Sequence, residues 1–279
     1  MNGKICLITG ASSGIGKSAA LALARMGASI VMAGRDRERT EKARAEVVRE
    51  SGNDRVEIVL CDLSSQAEIR RMADEFAAGY GKLDVLINNA AIVPATRTVT
   101  TEGIETQFAV NHLAYFLLAG LLMDPLKAAA PSRIVNVASG MHFRACLDFG
   151  NLQAEKSYKP MAHYSLTKLL NVCFTYELAG RLEGTGVTVN ALSPGFTATN
   201  LGRDFSPFSR FVMRRMAKKP EKGAATVVYL ASSPEVAAMS GGYYHSGKAA
   251  KSSAPTYVRE NLRRVWEISE KLTGSLKKF

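Results

Sequence analysis

Tyr164 and Lys168 stand four residues apart in the run Tyr164-Ser165-Leu166-Thr167-Lys168. On a helix, positions i and i+4 share a face, so an ammonium can sit beside a phenol. An unperturbed phenol, with a pKa near ~10, is a poor base at neutral pH, and a nearby positive charge favours its ionised form. Lowering that pKa by about two units amounts to roughly 2.7 kcal/mol. A phenol tuned in this way can give a proton to a carbonyl oxygen, or take one from an alcohol, as hydride moves on carbon. Alone, the pair is a solvated helix pair in most proteins. It gains force from the run Thr9-Gly10-Ala11-Ser12-Ser13-Gly14-Ile15-Gly16 near the chain start. Glycines between a strand and a helix permit a tight turn and let backbone approach a pyrophosphate resting on the helix N-terminus. The spacing is G-x-x-x-G-x-G, with Ser12 and Ser13 inside it as further candidate contacts. A nucleotide cradle followed at a distance by a phenol and an ammonium points to redox chemistry on an alcohol or carbonyl.

These residues need elements to hold them. Lys4 to Thr9 reads as a strand buried on both faces, because Ile5, Cys6, Leu7 and Ile8 are consecutive and apolar. Gly14 to Met26 reads as a helix, with Ile15, Ala19, Ala22 and Leu23 on one face and Gly27 past its end. Further strands are expected at Ser29 to Ala33, Val56 to Leu60, Leu83 to Ile87, Arg133 to Ala138 and Val187 to Leu192. Helices are expected at Asp36 to Glu50, Gln66 to Ala78, Thr101 to Ala129 with a break near Asp124-Pro125, and His163 to Leu182. Alternating strands and helices imply βαβ crossovers and an α/β fold, a single-domain Rossmann-type doubly wound parallel sheet with helices on both faces. Gly140 to Ala162 and Asn200 to Lys222 fall outside the alternation. Both follow strand ends, where ligands bind in open α/β sheets.

The end of the second strand bears on cofactor choice. An acid there accepts from a ribose 2′-hydroxyl, whereas an arginine accommodates a 2′-phosphate. The run is Ala33-Gly34-Arg35-Asp36-Arg37, with glycine where the acid would stand and Arg35 next. That favours NADP over NAD, and Asp36 keeps NAD open. Arg37 and Arg39 read as a solvated helix face. Asp62, after the third strand and beside Leu63, can accept from an adenine amino group or cap the next helix, for which Ser64 and Ser65 are also available.

With 279 residues, 47% of them apolar, the chain can bury a substantial core. No internal repeat or linker divides it. Its net charge of +11 suits an anionic cofactor, a nucleic acid or an acidic membrane surface. The charge is not in one block and no zinc-finger or RNA-binding signature is present, so no nucleic-acid partner is expected. Cys6, Cys61, Cys146 and Cys173 form no C-x-x-C pair and no metal-ligand spacing with the histidines, so no metal is expected. The start Met1-Asn2-Gly3-Lys4 leads into a core strand rather than a signal peptide, and reduced thiols in a cytoplasmic protein are expected. The apolar stretch Leu113 to Met123 is shorter than the about 20 residues a bilayer span needs.

Thr9-Gly-x-x-x-Gly-Ile-Gly16, Asn88-Asn89-Ala90, Asn111, Ser139, Tyr164-x-x-x-Lys168 and Pro194-Gly195 occur in an order that resembles the short-chain dehydrogenase/reductase family over nearly the whole chain. The resemblance implies a catalytic tetrad of Asn111, Ser139, Tyr164 and Lys168. In it Tyr164 is the general acid/base and Ser139 holds the substrate oxygen. Lys168 binds the nicotinamide ribose and lowers the Tyr164 pKa, and Asn111 supports a water that relays protons to Lys168. Asn89 and Ala90 would line the cofactor near the adenosine ribose. Pro194-Gly195 with Thr197 or Thr199 would frame the nicotinamide, and Ile15 would pack near the cofactor at the glycine turn. Ala138 has no hydroxyl, so Ser139 is the single donor at its strand end. His112 and His163, each beside a tetrad residue, read as bystanders, since adjacent helix positions do not share a face.

The spacing between Ser139 and Tyr164 is 25 residues (164 minus 139), longer than in many members of that family. The added stretch, Arg133-Ile-Val-Asn-Val137 before it, and Asn111-His-Leu113 resemble the retinol dehydrogenase-like branch. That branch implies a preference for NADP and small-molecule lipophilic alcohols, aldehydes and ketones, without the N-terminal membrane anchor of many animal members. Segment 140–162 is then an insertion, and 200–222 a lid over the substrate. Phe205, Phe208, Phe211, Val212, Met213 and Met216 combine there with Arg210, Arg214, Arg215, Lys218 and Lys219. The composition of 203–222 equally suits peripheral contact with an acidic membrane surface, or a surface helix with one buried stripe. Tyr243, Tyr244 and His245 would close the pocket or pack in the core. The family's dimers form through two long helices, here Thr101–Ala129 and His163–Leu182. The insertion could cover that surface, which leaves homodimer and monomer both open.

Overall fold

The consecutive apolar runs become parallel strands because each must bury two faces at once. In the computed structural model, which describes residues 1–195 and 219–274, strand β1 is Ile5–Thr9, β2 Ser29–Gly34, β3 Val56–Leu60, β4 Val85–Asn88, β5 Ser132–Val137, β6 Val187–Ser193, β7 Gly242–His245 and β8 Lys248–Ala249. They form one sheet in the order β3-β2-β1-β4-β5-β6-β7-β8. Every neighbouring pair is parallel except the short β7–β8 hairpin. Side chains alternate across a strand. In β1, Cys6 and Ile8 enter one core with α1 (Gly14–Arg25) and α8 (Pro220–Ser232). Leu7 enters the other, with α3 (Gln66–Tyr80), α5 (Ala114–Leu121) and α7 (Pro160–Arg181). The doubly wound α/β class expected from sequence is the class observed.

Strand order reverses between β1 and β4, so the turns leaving their carboxyl ends part to opposite sides and open a crevice. Local signals set the edges. Asp36 caps α2 (Arg37–Ser51) by accepting from Arg39 N at 2.9 Å. Ser65, not Asp62, caps α3, accepting from Glu68 N at 3.3 Å.

The segment from Thr101 to Ala129, expected as helix with a break near Asp124-Pro125, is divided further. Glu105, fully buried, caps α4 (Thr106–Phe108) and accepts from the main chain of Gln107 and Phe108 at 2.9 and 2.6 Å. A π turn, Ala109–Leu113, then precedes α5, and α6 covers Met123–Ala128. The break falls at Leu122, and Pro125 sits in the first turn of α6, where a missing N–H is tolerated. Helix α7 starts at Pro160 for the same reason.

Strands β7 and β8 and helices α8 and α9 stand beyond the sequence expectation. Tyr243 and Tyr244 are buried in β7, which gives them the core role. Helix α8 packs against α1. Helix α9, Arg259–Thr273, lies on α7 and packs Trp266 against Phe116 of α5 and Phe174 of α7, with ring centroids 4.8 and 6.1 Å away. No helix among the described residues is long and apolar enough to cross a membrane. Most of segment 200–222, expected from sequence to be a lid, lies outside the described residues.

Candidate active site

Tyr164 sits one turn into α7, and its ring is 7% exposed. Lys168 follows on the same face, 1% exposed. Its Nζ lies 5.7 Å from the Tyr164 ring centroid and donates to the Val137 carbonyl at 2.8 Å. Ser139 leaves the end of β5 and caps the 3-10 turn Gly140–Arg144. Its Oγ accepts from Met141 N at 3.2 Å, and the hydroxyl faces the phenol closely enough to favour the ionised form of Tyr164. Tyr164, Lys168 and Ser139 therefore converge past the carboxyl end of β5.

Burial rules the electrostatics. It pushes the Tyr164 phenol up to about 12, with the Ser139 hydroxyl opposing. It pulls the Lys168 ammonium down to about 7. The sequence expectation was a phenol lowered by its lysine. In the folded chain the reverse holds, because both groups are desolvated and a lysine this far depressed carries only part of its charge at neutral pH.

Asn111 lies in the π turn and is fully buried. Its amide clamps Ile92, accepting from the Ile92 N–H at 2.8 Å and donating to the Ile92 carbonyl at 3.0 Å, with a further contact to Thr167 Oγ1 at 3.2 Å. Asn171 Nδ2 donates to the Asn111 carbonyl at 2.8 Å. The side chain is thus occupied in shaping the 90–93 loop. His112 and His163 point away from the reacting groups. His112 bridges Asn171 Oδ1 and Ser269 Oγ at 3.1 and 2.8 Å, and burial lowers its pKa to about 4. His163 Nε2 meets Glu105 Oε2 at 2.7 Å.

At the crevice, Gly10 and Gly14 adopt φ of +65° and +57°. A Cβ on Gly16 would stand 2.5 Å from the Gly10 carbonyl and 2.6 Å from Asn89 Nδ2. The Asn89 amide donates to the Thr9 carbonyl at 2.8 Å, while the Asn89 and Ala90 N–H groups donate to Thr9 Oγ1 at 2.9 and 3.1 Å. So Asn89 braces the glycine turn. Ile15 packs inward among core residues of β1 and β2.

The short chain dehydrogenase family profile matches residues 4–210. The chain belongs to this family. It is similar to human retinol dehydrogenase 14, with 42% identity over 296 residues that cover 99% of this chain and 88% of the relative. Its fold resembles an uncharacterized protein from Mycobacterium paratuberculosis, with TM-score 0.81, 31% identity and coverage of 98% and 94%. It also resembles a Beutenbergia cavernae structure described as an NAD(P)-dependent gluconate 5-dehydrogenase with NADP at low occupancy, with TM-score 0.72, 28% identity and coverage of 88% and 96%. This dehydrogenase is retinol dehydrogenase-like in sequence, an oxidoreductase of the alcohol/carbonyl class served by a nicotinamide nucleotide.

The residues fit such a nucleotide. Ser13, at the N-cap of α1, makes no side-chain capping bond, and no acid stands in the first turn, so main-chain N–H groups there remain for an anion. Ser12 and Ser13 are half-buried on that turn. Asp62 accepts from Ser64 N and Oγ at 2.9 and 2.7 Å, which folds the chain back after β3 and sets Leu63 partly against the core. Arg35 is 71% exposed, with Nη1 3.6 Å from Asp62 Oδ2. Gly195 follows β6 with φ of +75°, and Pro194 precedes it; Thr197 and Thr199 lie outside the described residues.

Two residues that the sequence reading missed complete the frame of this dehydrogenase. Tyr115 places its ring 5.2 Å from Lys168 Nζ and donates to the Ala90 carbonyl at 3.0 Å. Its position four residues after Asn111 was the available signal. Ser193 Oγ accepts from the N–H groups of Gly140 and Gly195 at 3.0 and 3.3 Å, which joins the Ser139 turn to the Pro194-Gly195 turn.

Proposed function

We propose that this dehydrogenase is NADP(H)-dependent and interconverts a lipophilic alcohol and its carbonyl, with Tyr164 as general acid/base. The observation that carries the reading is the convergence of Tyr164, Ser139 and Lys168 past β5, on the crevice side of the glycine turn. Ser139 Oγ accepts from Met141 N and its hydroxyl turns toward the Tyr164 phenol, so a substrate oxygen entering between the two accepts the Ser139 hydrogen bond in place of the phenol. Tyr164 gives its phenolic proton to that oxygen in reduction and takes one from the alcohol in oxidation. Lys168, fixed by the Val137 carbonyl, presents its remaining protons toward the phenol and a ribose. The bound nicotinamide supplies hydride exchange and, when oxidised, a positive charge. The names of the relatives support a lipophilic substrate. A panel of decanal, acetophenone, all-trans-retinal and glyceraldehyde tests it: fastest turnover of glyceraldehyde counts against the reading.

Three observations favour NADP. The Asp36 carboxylate is committed to Arg39 N as the cap of α2. A Cβ on Gly34 would stand 2.3 Å from Thr40 Oγ1, so the strand end has no room for an acid unless Thr40 moves. Arg35 remains exposed beside it. A hydrogen bond to a charged group is worth about 1.5–3 kcal/mol, or roughly 10–100-fold in affinity. Arg35→Ala is therefore expected to weaken NADPH binding by about that factor and to leave NADH unchanged, as read by nicotinamide fluorescence. Tighter binding of NADH by the wild type would reverse the assignment.

On oligomeric state we infer a monomer. The α5–α7 face on which the family's dimers form is covered within the chain by Trp266 of α9. Light scattering of the purified protein is expected to give the mass of a single chain, and a dimer mass that survives dilution would exclude this.

A further inference from the structure

We propose that His142 is a positioning residue that fixes the Ser139 hydroxyl, and that segment Ser252–Tyr257 is part of the active-site frame. The inference rests on the catalytic reading of Tyr164 and Ser139 given above.

His142 has 0% of its surface exposed. Its Nδ1 lies 2.7 Å from the Ser139 carbonyl, and its Nε2 lies 3.1 Å from Ser253 N. A carbonyl only accepts and a main-chain N–H only donates. The partners therefore dictate one tautomer: Nδ1–H donates to Ser139, and Nε2 accepts from Ser253. The imidazolium form would set two donors against each other at Nε2, and burial also lowers the pKa of the ring. The ring is further confined by Tyr243 and Phe143, with centroids 4.8 and 4.1 Å away.

The same Ser139 carbonyl also accepts from His142 N at 3.1 Å. Both donors of one residue thus grip the main chain of the serine. The other side of the imidazole is anchored in turn. Ser252 Oγ meets Tyr176 Oη at 2.8 Å and Thr256 Oγ1 at 2.6 Å, and Ser252 N donates to Tyr257 Oη at 2.9 Å. Tyr176 lies on α7, the helix that carries Tyr164. The turn bearing Ser139 and the helix bearing Tyr164 are therefore linked through a third segment, by way of His142. Their direct packing and the Ser193 bond to Gly140 hold the turn in place, while His142 fixes the serine carbonyl and so the backbone from which the side chain projects, with Met141 N holding Oγ itself. A misplacement near 1 Å can cost about 100-fold in rate.

The test compares His142→Leu, His142→Asn and Ser253→Pro with wild type, with Ser139→Ala and Tyr164→Phe as controls. It measures kcat and KM at saturating NADPH on the fastest carbonyl of the panel, NADPH affinity by fluorescence, and thermal midpoints. His142→Leu is expected to lower kcat by about 10–100-fold, with NADPH affinity and carbonyl KM changed less than the rate. His142→Asn keeps a donor where Nδ1 stands and is expected to recover most of that loss. Ser253 has φ of −70°, which proline can adopt; Ser253→Pro deletes the N–H that His142 accepts and puts the ring Cδ in its place, so the imidazole is displaced and kcat should fall several-fold. Wild-type kcat in His142→Leu, or equal loss in the Leu and Asn variants, overturns the proposal. If the Leu variant does not fold, wild-type kcat in Ser253→Pro overturns it. Full turnover in Ser139→Ala and Tyr164→Phe would instead remove the catalytic reading itself, and this inference with it.

Discussion

Tyr164→Phe is expected to lower kcat by about 10²–10⁴-fold, the range for a positioned general acid/base, while NADPH affinity and thermal midpoint stay near wild type. The substitution removes one oxygen and keeps the ring in its buried place on α7. The described core contacts of α7 are made by other residues, so little packing is lost. The direction of turnover gives a second readout. Burial holds the phenol pKa up, to about 12 in the folded chain. The protonated form needed for carbonyl reduction is thus fully populated at neutral pH, so any change in reduction between pH 6 and 8 follows Lys168, which burial brings down to about 7, and not the phenol. Alcohol oxidation needs the phenolate, and its rate should climb with pH. In Tyr164→Phe the residual oxidation rate should lose that climb. Stopped assays in both directions decide it: a variant retaining more than about a tenth of wild-type kcat in reduction would remove Tyr164 from the proton-transfer role.

How much of this was legible in the chain depends on the distance over which each signal acts. Ile5-Cys6-Leu7-Ile8 announced a strand buried on both faces, because consecutive apolar residues have no other economical use beside a glycine turn. Gly10, Gly14 and Gly16 were legible because close backbone approach leaves no substitute. The Asn111 π turn was not, since it is imposed by Ile92 and Asn171, which lie far along the chain. Strand β7 was hidden because Gly242–His245 is short and its apolar content is two tyrosines. Helix α9 carries Leu262, Val265, Trp266 and Ser269 at helical spacing amid seven charged residues of fifteen. That pattern was present and went unread, and its partner surface on α5 and α7 could be known only from the fold. Asn89 shows the same limit: its motif was recognised, but its role as a brace on Thr9 and Gly10 follows from the side-by-side placement of β1 and β4. The Tyr164–Lys168 electrostatics came out with the opposite sign because spacing reveals the neighbour and not the desolvation.

That desolvation makes Lys168→Met an unusual variant: inactive, and more stable than wild type at low pH. Burial moves the Lys168 ammonium from its ordinary 10.5 to about 7. At about 1.36 kcal/mol per unit, this is on the order of 3–5 kcal/mol of stability that depends on pH. Between those two values the unfolded chain binds a proton that the folded chain does not, so wild-type stability rises with pH across the interval. The contribution is complete above about pH 10.5, declines as pH falls, and is gone below about pH 7. Tyr164 acts in the other direction at higher pH. Its folded pKa of about 12 lies above the ordinary 10, so the folded state keeps a proton that the unfolded state loses, and stability falls from about pH 10 upward. Methionine fills a similar volume without a charge, and it leaves the Val137 carbonyl without its lysine donor, a loss of about 1–3 kcal/mol that does not vary with pH. His112, whose pKa the Lys168 charge helps to lower, shifts in the variant; titrating groups that do not feel Lys168 are common to both proteins and cancel in the difference. The two stability curves should therefore cross between pH 7 and 10, with Lys168→Met above wild type at pH 6 and below it at pH 10. Chemical denaturation of both proteins across that range measures the difference directly, and a gap that stays constant from pH 6 to 10 would show that Lys168 remains fully charged in the folded state.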